Sequence, residues 1–162
     1  MISKFGFIAG FIKQAEKIRP RVEVVIKDKS GRILLGEAAG DYGKFYKFPG
    51  GGIEQGESTI EAGKRETQEE TGKNIGNIKP LPVEPMLLIN PNNPQQGSKT
   101  YYVQGDLRGG RRSKLYGADE DIIKRLQFFD PYTAARLMLM QQIGTPFEEA
   151  AKRRADAIRK AT

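Results

Sequence analysis

The segment "GGGIEQGESTIEAGKRETQEETG", residues 50–72, crowds six glutamates into a chain whose net charge is +7. Its second half has the marks of a helix. Ser58 and Glu61 stand at the S-x-x-E spacing of a capping box, in which two side chains satisfy free backbone N–H groups at a helix start. Gly72 falls where a helix end takes a residue that tolerates positive φ. The spacing predicts a helix over 58–71. On it Glu66, Glu69 and Glu70 lie at i, i+3 and i+4, on one face. Like charges so placed cost roughly 0.2–0.5 kcal/mol per exposed pair, so stability gives no reason for the cluster. A divalent cation among them would remove the repulsion. Arg65, four residues from both Glu61 and Glu69, is expected to hold a carboxylate by a bidentate contact. The opposite face carries Ile60, Gly63, Thr67 and Thr71 and is expected to pack on a sheet. Ahead of the helix, glycines 50–52 let backbone groups approach a ligand closely. An acidic face beside such a loop makes a cradle for a metal-bound pyrophosphate.

The rest of the composition narrows the chemistry. The 162 residues include no cysteine and no histidine. Disulfides, thiolate nucleophiles, Cys/His zinc sites and Ser-His-Asp schemes are therefore excluded. A metal would have to be held by oxygen, which selects Mg²⁺, Mn²⁺ or Ca²⁺. The cationic excess favours anionic partners. Part of it is local, in "RGGRRSK" (108–114), where Arg108 opens a run of four cations without an acid. No apolar run approaches the ~18 residues that cross a bilayer. The nearest, "FGFIAGFI" (5–12), is not followed by a small-residue cleavage site. A cytoplasmic protein without a membrane partner is expected.

Along the chain, Phe5, Ile8, Ile12 and Ala15 recur at helical spacing, so residues 4–18 are expected to form a short helix that Pro20 ends. "RVEVVIKD" (21–28) and "ILLGE" (33–37) read as a hairpin, and "AAGDYGKFY" (38–46) as a glycine-containing loop. Five prolines lie between residues 80 and 94, a loop with "MLLI" as a strand inside it. "KTYYVQGDL" (99–107) and "IIKRLQFFD" (122–130) read as strands. A helix opened by Pro131 follows, then a last helix with Thr145 as cap and Pro146 at its first position. The order implies an α+β domain with a mixed sheet.

Gly51, Glu57 and "RETQEETG" at these intervals resemble the Nudix box, G-x5-E-x7-R-E-U-x-E-E-x-G-U, where U is bulky and apolar. Gly51, Glu57, Arg65, Glu66, Glu69, Glu70 and Gly72 match, and Thr67 and Lys73 depart at the two U positions. The resemblance covers roughly residues 21–142, with 1–20 as an N-terminal helical extension and 143–162 as a C-terminal helix. It implies the Nudix fold, a mixed sheet sandwiched between helices. It also implies hydrolysis of a nucleoside diphosphate linked to another group, using Mg²⁺ or Mn²⁺. By position, Glu69 and Glu70 are the foremost metal ligands, with Glu57 and the Gly50 carbonyl beside them. Glu66 is either a ligand or the base that deprotonates water, and Arg65 orients the glutamates. Many members use a further acid before the last strand, and in "GADED" Glu120 is the choice over Asp119 and Asp121.

For the substrate, Gly51 and Gly52 are expected to line its path. Tyr42, Phe45 and Tyr46 are expected either to stack on a nucleobase or to pack in the core. Arg108 would contact phosphate or RNA, or be ordinary solvated charge. The lead reading is a small nucleotide such as ADP-ribose, a (d)NTP or a dinucleoside polyphosphate. The alternatives are RNA 5′-end hydrolysis and a nucleotide- or RNA-binding regulator on the same fold. The terminal helices are expected to pack on the fold or to form a homodimer contact.

Overall fold

The computed structural model describes residues 17–108 and 125–162. The hairpin expected from 21–37 is present, as β1 (Lys17–Lys27) and β2 (Ile33–Gly40). Strands β3 (Gly43–Lys47) and β4 (Gly50–Gly52) lead into helix α1 (Thr59–Thr71). Then come β5 (Ile75–Pro80), β6 (Met86–Ile89), β7 (Gln96–Leu107) and β8 (Arg125–Phe129). Helices α2 (Pro131–Met140) and α3 (Glu148–Ala161) close the chain. The sheet runs β3-β2-β1-β7-β5, with β4 on β1, β6 on β7 and β8 on β2. Only the β1–β7 pair is parallel among the described strands, so the sheet is mixed.

Alternation along β1 divides the core. Val22, Val24 and Ile26 join Leu34, Ala62, Ile75 and Val103 beneath α1. Val25 joins Ile33, Leu35, Phe48 and Tyr102 against Ala134 and Met138 of α2 and Ala157 and Ile158 of α3. The sheet is thus sandwiched between helices, as the sequence implies. Lys27 Nζ donates to the Ala161 carbonyl at 2.9 Å, a cation on the electronegative end of α3.

Three expectations change, and one strand is added. Lys17–Pro20, expected at the end of an N-terminal helix, is strand. β7 runs back to Gln96 and offers these residues a parallel ladder, and Pro20 stands one residue before the first β1–β4 pair, Arg21 on Gly52. The remainder of the expected helix, residues 4–16, lies outside the described residues. The "AAGDYGKFY" loop shrinks to Asp41 and Tyr42, because Gly40 pairs with Gly43 and the flanking residues ladder as β2 and β3. β5 is a strand not among those expected; within it Asn77 takes φ 50° at an irregularity between Gly76 and Lys79. Finally, α3 begins at Glu148 rather than at Thr145–Pro146. The Thr145 hydroxyl is engaged in the preceding turn, donating to the Gln142 carbonyl and accepting from Phe147 N.

Candidate functional site

Helix α1 is fixed at both ends as its sequence implies. Ser58 Oγ accepts from Glu61 N, Ser58 N donates to Glu61 Oε2, and Gly72 adopts φ 67°. Gly63 and Thr67 form the seat on the sheet. A Cβ at Gly63 would stand 2.9 Å from Ile78 and 3.1 Å from Val103, and Thr67 is fully buried with its hydroxyl on the Gly63 carbonyl. Seating this face turns Glu66, Glu69 and Glu70 toward the β4 loop.

Arg65 is the hub of the acidic cluster. Its guanidinium donates to both Glu57 oxygens (2.9 and 3.0 Å), to Glu66 Oε1 (2.8 Å), to Glu69 Oε2 (3.4 Å) and to the Gly52 carbonyl (2.8 Å). The bidentate partner is Glu57, not Glu61, whose carboxylate is spent on the helix cap. Hydrogen bonds from Arg65 hold the Glu57 carboxyl below its ordinary value. Glu66 and Glu70 differ. Burial raises both, and for Glu70 it outweighs Lys47 and carries the carboxyl up to about 7. Gly50 N–H donates to Glu70 Oε2 at 3.2 Å. That N–H is the contact Gly50 makes with the cluster. A Cβ on Gly51 would overlap the Glu66 carboxylate, 2.6 Å from its Cδ, so only glycine leaves that carboxylate its place.

Among the described residues no group of three or more acidic side chains is gathered closely enough to hold a metal ion. The reason is visible in the contacts: Arg65 lies among Glu57, Glu66 and Glu69. The donors nevertheless suit a hard divalent cation in kind. All are oxygens, and burial raises the Glu66 and Glu70 carboxyls, Glu66 in spite of its bond to Arg65.

Next to this cluster, across the sheet from α1, is a cavity of about 350 Å³. Its polar wall holds Arg21 and Glu23 of β1, Lys47 of β3 and Arg154 of α3. Glu23 and Arg154 form a buried bidentate pair at 2.6 and 2.8 Å. Burial works against the Glu23 charge, yet Arg154 keeps that carboxyl below its ordinary value. Burial lowers the Lys47 ammonium against the pull of Glu23 and Glu70. Arg21 and Lys47 both act on Glu70, which ties the cavity to the acidic cluster. The apolar wall holds Phe45, Met86, Leu88, Tyr42 and Phe147, the last two edge to face at 5.8 Å.

The expected substrate residues separate. Tyr42 and Phe45 line the cavity, whereas Tyr46 points to the other side of β3 and packs edge to face on Phe129 at 5.5 Å. Arg108 is not brought to the site. It lies seven residues beyond Tyr101, the β7 partner of Val22 beside Gly51, about 23 Å along the strand at ~3.3 Å per residue. Its side chain crosses Gly76 instead. Glu120, with Asp119 and Asp121, lies outside the described residues, as does the rest of the basic run after Arg108. Sequence reading missed Arg21, Glu23, Lys47 and Arg154. The signal available was charge at Arg21 and Glu23 on the face of β1 that continues into buried Val25.

A family model described as the NUDIX domain matches residues 17–149. Curated relatives named RNA pyrophosphohydrolase match shorter stretches. The one from Teredinibacter turnerae is 38% identical over 65 residues, 40% of this chain and 37% of the relative. The one from Wolbachia sp. subsp. Brugia malayi is 33% identical over 67 residues, 41% of each chain. The matched stretch therefore spans less than half of the relatives' own length. Among solved structures, a NUDIX hydrolase from Nitrosomonas europaea superposes with TM-score 0.61 at 22% identity, covering 90% of this chain and 92% of that one. A MutT mutator protein from Bacillus halodurans gives 0.54 at 20% identity, covering 74% and 73%. At such identities these two likenesses speak for the fold.

Proposed function

The chain belongs to the NUDIX domain family, and from that premise we propose that it hydrolyses a phosphoric anhydride bond of a nucleoside polyphosphate with a divalent cation, Mg²⁺ or Mn²⁺. The observation that carries this reading is the junction of two unlike surfaces. A carboxylate cluster whose Glu66 and Glu70 are raised by burial adjoins a cavity lined by Arg21, Lys47 and Arg154 on one part and by Tyr42, Phe45 and Phe147 on another. The first suits a metal and water, the second a phosphate chain and a base.

Glu69 and Glu70, with Glu57 and Gly50 as further oxygen donors, would hold the ion. When bound, it supplies charge neutralisation at the phosphates. Arg65 fixes Glu57 and Glu66 relative to the β4 loop. Glu66, set against Gly51, takes a proton from the attacking water, a role suited to a carboxylate raised by burial. The water oxygen bonds to one phosphorus, the bridging oxygen leaves with the other phosphate, and the second water proton passes to solvent. Arg21 and Lys47 hold the phosphate chain, and Phe45 and Tyr42 take the base at the cavity wall. Glu120 is a further proposed acid.

The names of the curated relatives favour a second reading of the same site, in which the nucleoside polyphosphate is the 5′ end of an RNA. The test is a product screen with Mg²⁺ and Mn²⁺ over ADP-ribose, dNTPs, diadenosine polyphosphates and a 5′-triphosphorylated RNA. Cleavage at an anhydride is expected, and Glu70→Gln should abolish it. With its carboxyl raised to about 7, glutamine is a close mimic of the protonated side chain, so the fold should persist. Turnover retained by Glu70→Gln, or no turnover with metal demonstrably bound, would overturn the proposal.

A further inference from the structure

Strand β1 continues past the cavity toward Lys17, and the face that lines the cavity continues with it. Arg21 and Glu23 look into the cavity while Val22 and Val24 lie beneath α1. By the two-residue alternation of a strand, Arg19 and Lys17 extend the same face. Their parallel partners on β7 keep it polar: Arg21 stands beside Thr100, Arg19 beside Ser98 and Lys17 beside Gln96. Ser98 and Thr100 themselves line the cavity. Lys17 and Arg19 are exposed, and among the described residues neither they nor Arg21 joins an ion pair.

The row begins beside the β4 loop, where Arg21 pairs with Gly52 and Ile53 N donates to the Pro20 carbonyl. It runs outward in steps of about 6.6 Å, two residues at ~3.3 Å each. Successive phosphates of an extended single strand are separated by a comparable distance. A free mononucleotide bound in the cavity would need nothing from Lys17 or Arg19, which are not among its lining residues. A chain continuing from the 3′ side of that nucleotide would leave along this row.

The geometry points to Lys17 and Arg19 as a backbone-phosphate track for a single-stranded polynucleotide whose 5′-polyphosphate lies at the carboxylate cluster. This rests on the proposed hydrolysis and names its substrate class. Contacts of this kind give affinity without base reading, and each neutralised phosphate of a single strand adds about −0.7 to the slope of log affinity against log salt.

The test compares GTP with a 5′-triphosphorylated octaribonucleotide as substrates, over about 50–200 mM KCl, for the wild type and for Lys17→Gln/Arg19→Gln. The oligomer should show a kcat/KM slope steeper than that of GTP by about 1.4, two phosphates' worth. The double variant should lose that excess while hydrolysing GTP as the wild type does. Equal slopes for the two substrates, or equal losses on both in the variant, would refute the track. If neither substrate is cleaved, hydrolysis is decided by the wider product screen, and the track by fluorescence anisotropy of the labelled octamer. Salt-sensitive binding weakened in the double variant supports it; binding unaffected by the variant, or absent, removes it. A matching 2′-deoxy octamer separates backbone recognition, which should persist, from a requirement for ribose.

Discussion

Glu23→Gln should unfold the protein early, because it removes the buried charge that β1 offers to Arg154 of α3. The pair is bidentate, 2.6 and 2.8 Å, and its side chains are only 11% and 14% exposed. Removing one partner of a buried pair costs about 3–5 kcal/mol, chiefly because the other charge is left uncompensated. Glutamine keeps one acceptor for Arg154, which puts the expected loss near the lower end, ~3 kcal/mol. For a chain of this size that is a fall in Tm of roughly 6–12 °C. Urea unfolding at pH 7 measures it, and a cycle of Glu23→Leu, Arg154→Met and the double variant isolates the pair. The double variant should lie closer to wild type than either single one, since an apolar pair of similar volume carries no stranded charge. The pH dependence has a definite sign. The folded-state pKa of Glu23 is lowered, so its stabilisation is present above the unfolded value, near 4.5, and is lost as pH falls through the lower folded value. Wild type should therefore lose its advantage over Glu23→Gln on acidification below that point. A loss under 1 kcal/mol at pH 7, or an advantage that grows in acid, would refute the reasoning.

Gly51→Ala meets no barrier in its backbone, but its methyl would overlap the Glu66 carboxylate; a displacement of that order should reduce kcat about a hundredfold with the circular dichroism spectrum unchanged. Gly63→Ala gains ~1 kcal/mol of helix propensity and meets Ile78 at 2.9 Å and Val103 at 3.1 Å. With overpacking at ~1–3 kcal/mol, a net destabilisation of ~1 kcal/mol is expected in denaturant titration. Phe45→Ala should raise KM by an amount equivalent to ~1–3 kcal/mol of base stacking with little change in stability. Tyr46→Ala should do the reverse, costing roughly 2 kcal/mol, below the range for a fully buried aromatic, and leaving KM near that of wild type.

What was legible in the sequence was local. The capping box, the αL glycine and the i, i+3, i+4 carboxylates each involve residues within one or two turns, and α1 forms as the spacing predicts. The mixed sheet between helices followed from element order and resemblance. What escaped depends on partners far away in sequence. β5 exists because β7 offers it a ladder, and Lys17–Pro20 extend as strand for the same reason. Helical spacing offers Arg65 the carboxylates of Glu61 and Glu69; it reaches Glu69 with one nitrogen, but its bidentate partner is Glu57, in the loop before the cap. Tyr46 and Phe45 are adjacent in sequence, and only the β2–β3 register decides which of them faces the cavity.

That register question is sharpest on β1. One strand serves both halves of the proposed site, sending Val22, Val24 and Ile26 beneath the helix that carries the carboxylates and Arg21 and Glu23 into the cavity. Its edge carries the glycine loop, through Arg21 on Gly52, Val22 on Gly51 and Glu23 on Gly50. A one-residue slip would exchange the faces, placing a glutamate and an arginine beneath α1 and valines in the cavity. It would also move Gly51 from beneath Glu66, where no other residue leaves the carboxylate room. The eleven-residue parallel pairing with β7 makes such a slip prohibitive, because every paired row would have to break together. The long strand thus fixes the distance between the carboxylate cluster and the cavity. Variants that shorten the β7 ladder should impair turnover before they impair metal binding, since α1 carries the carboxylates on its own capped frame.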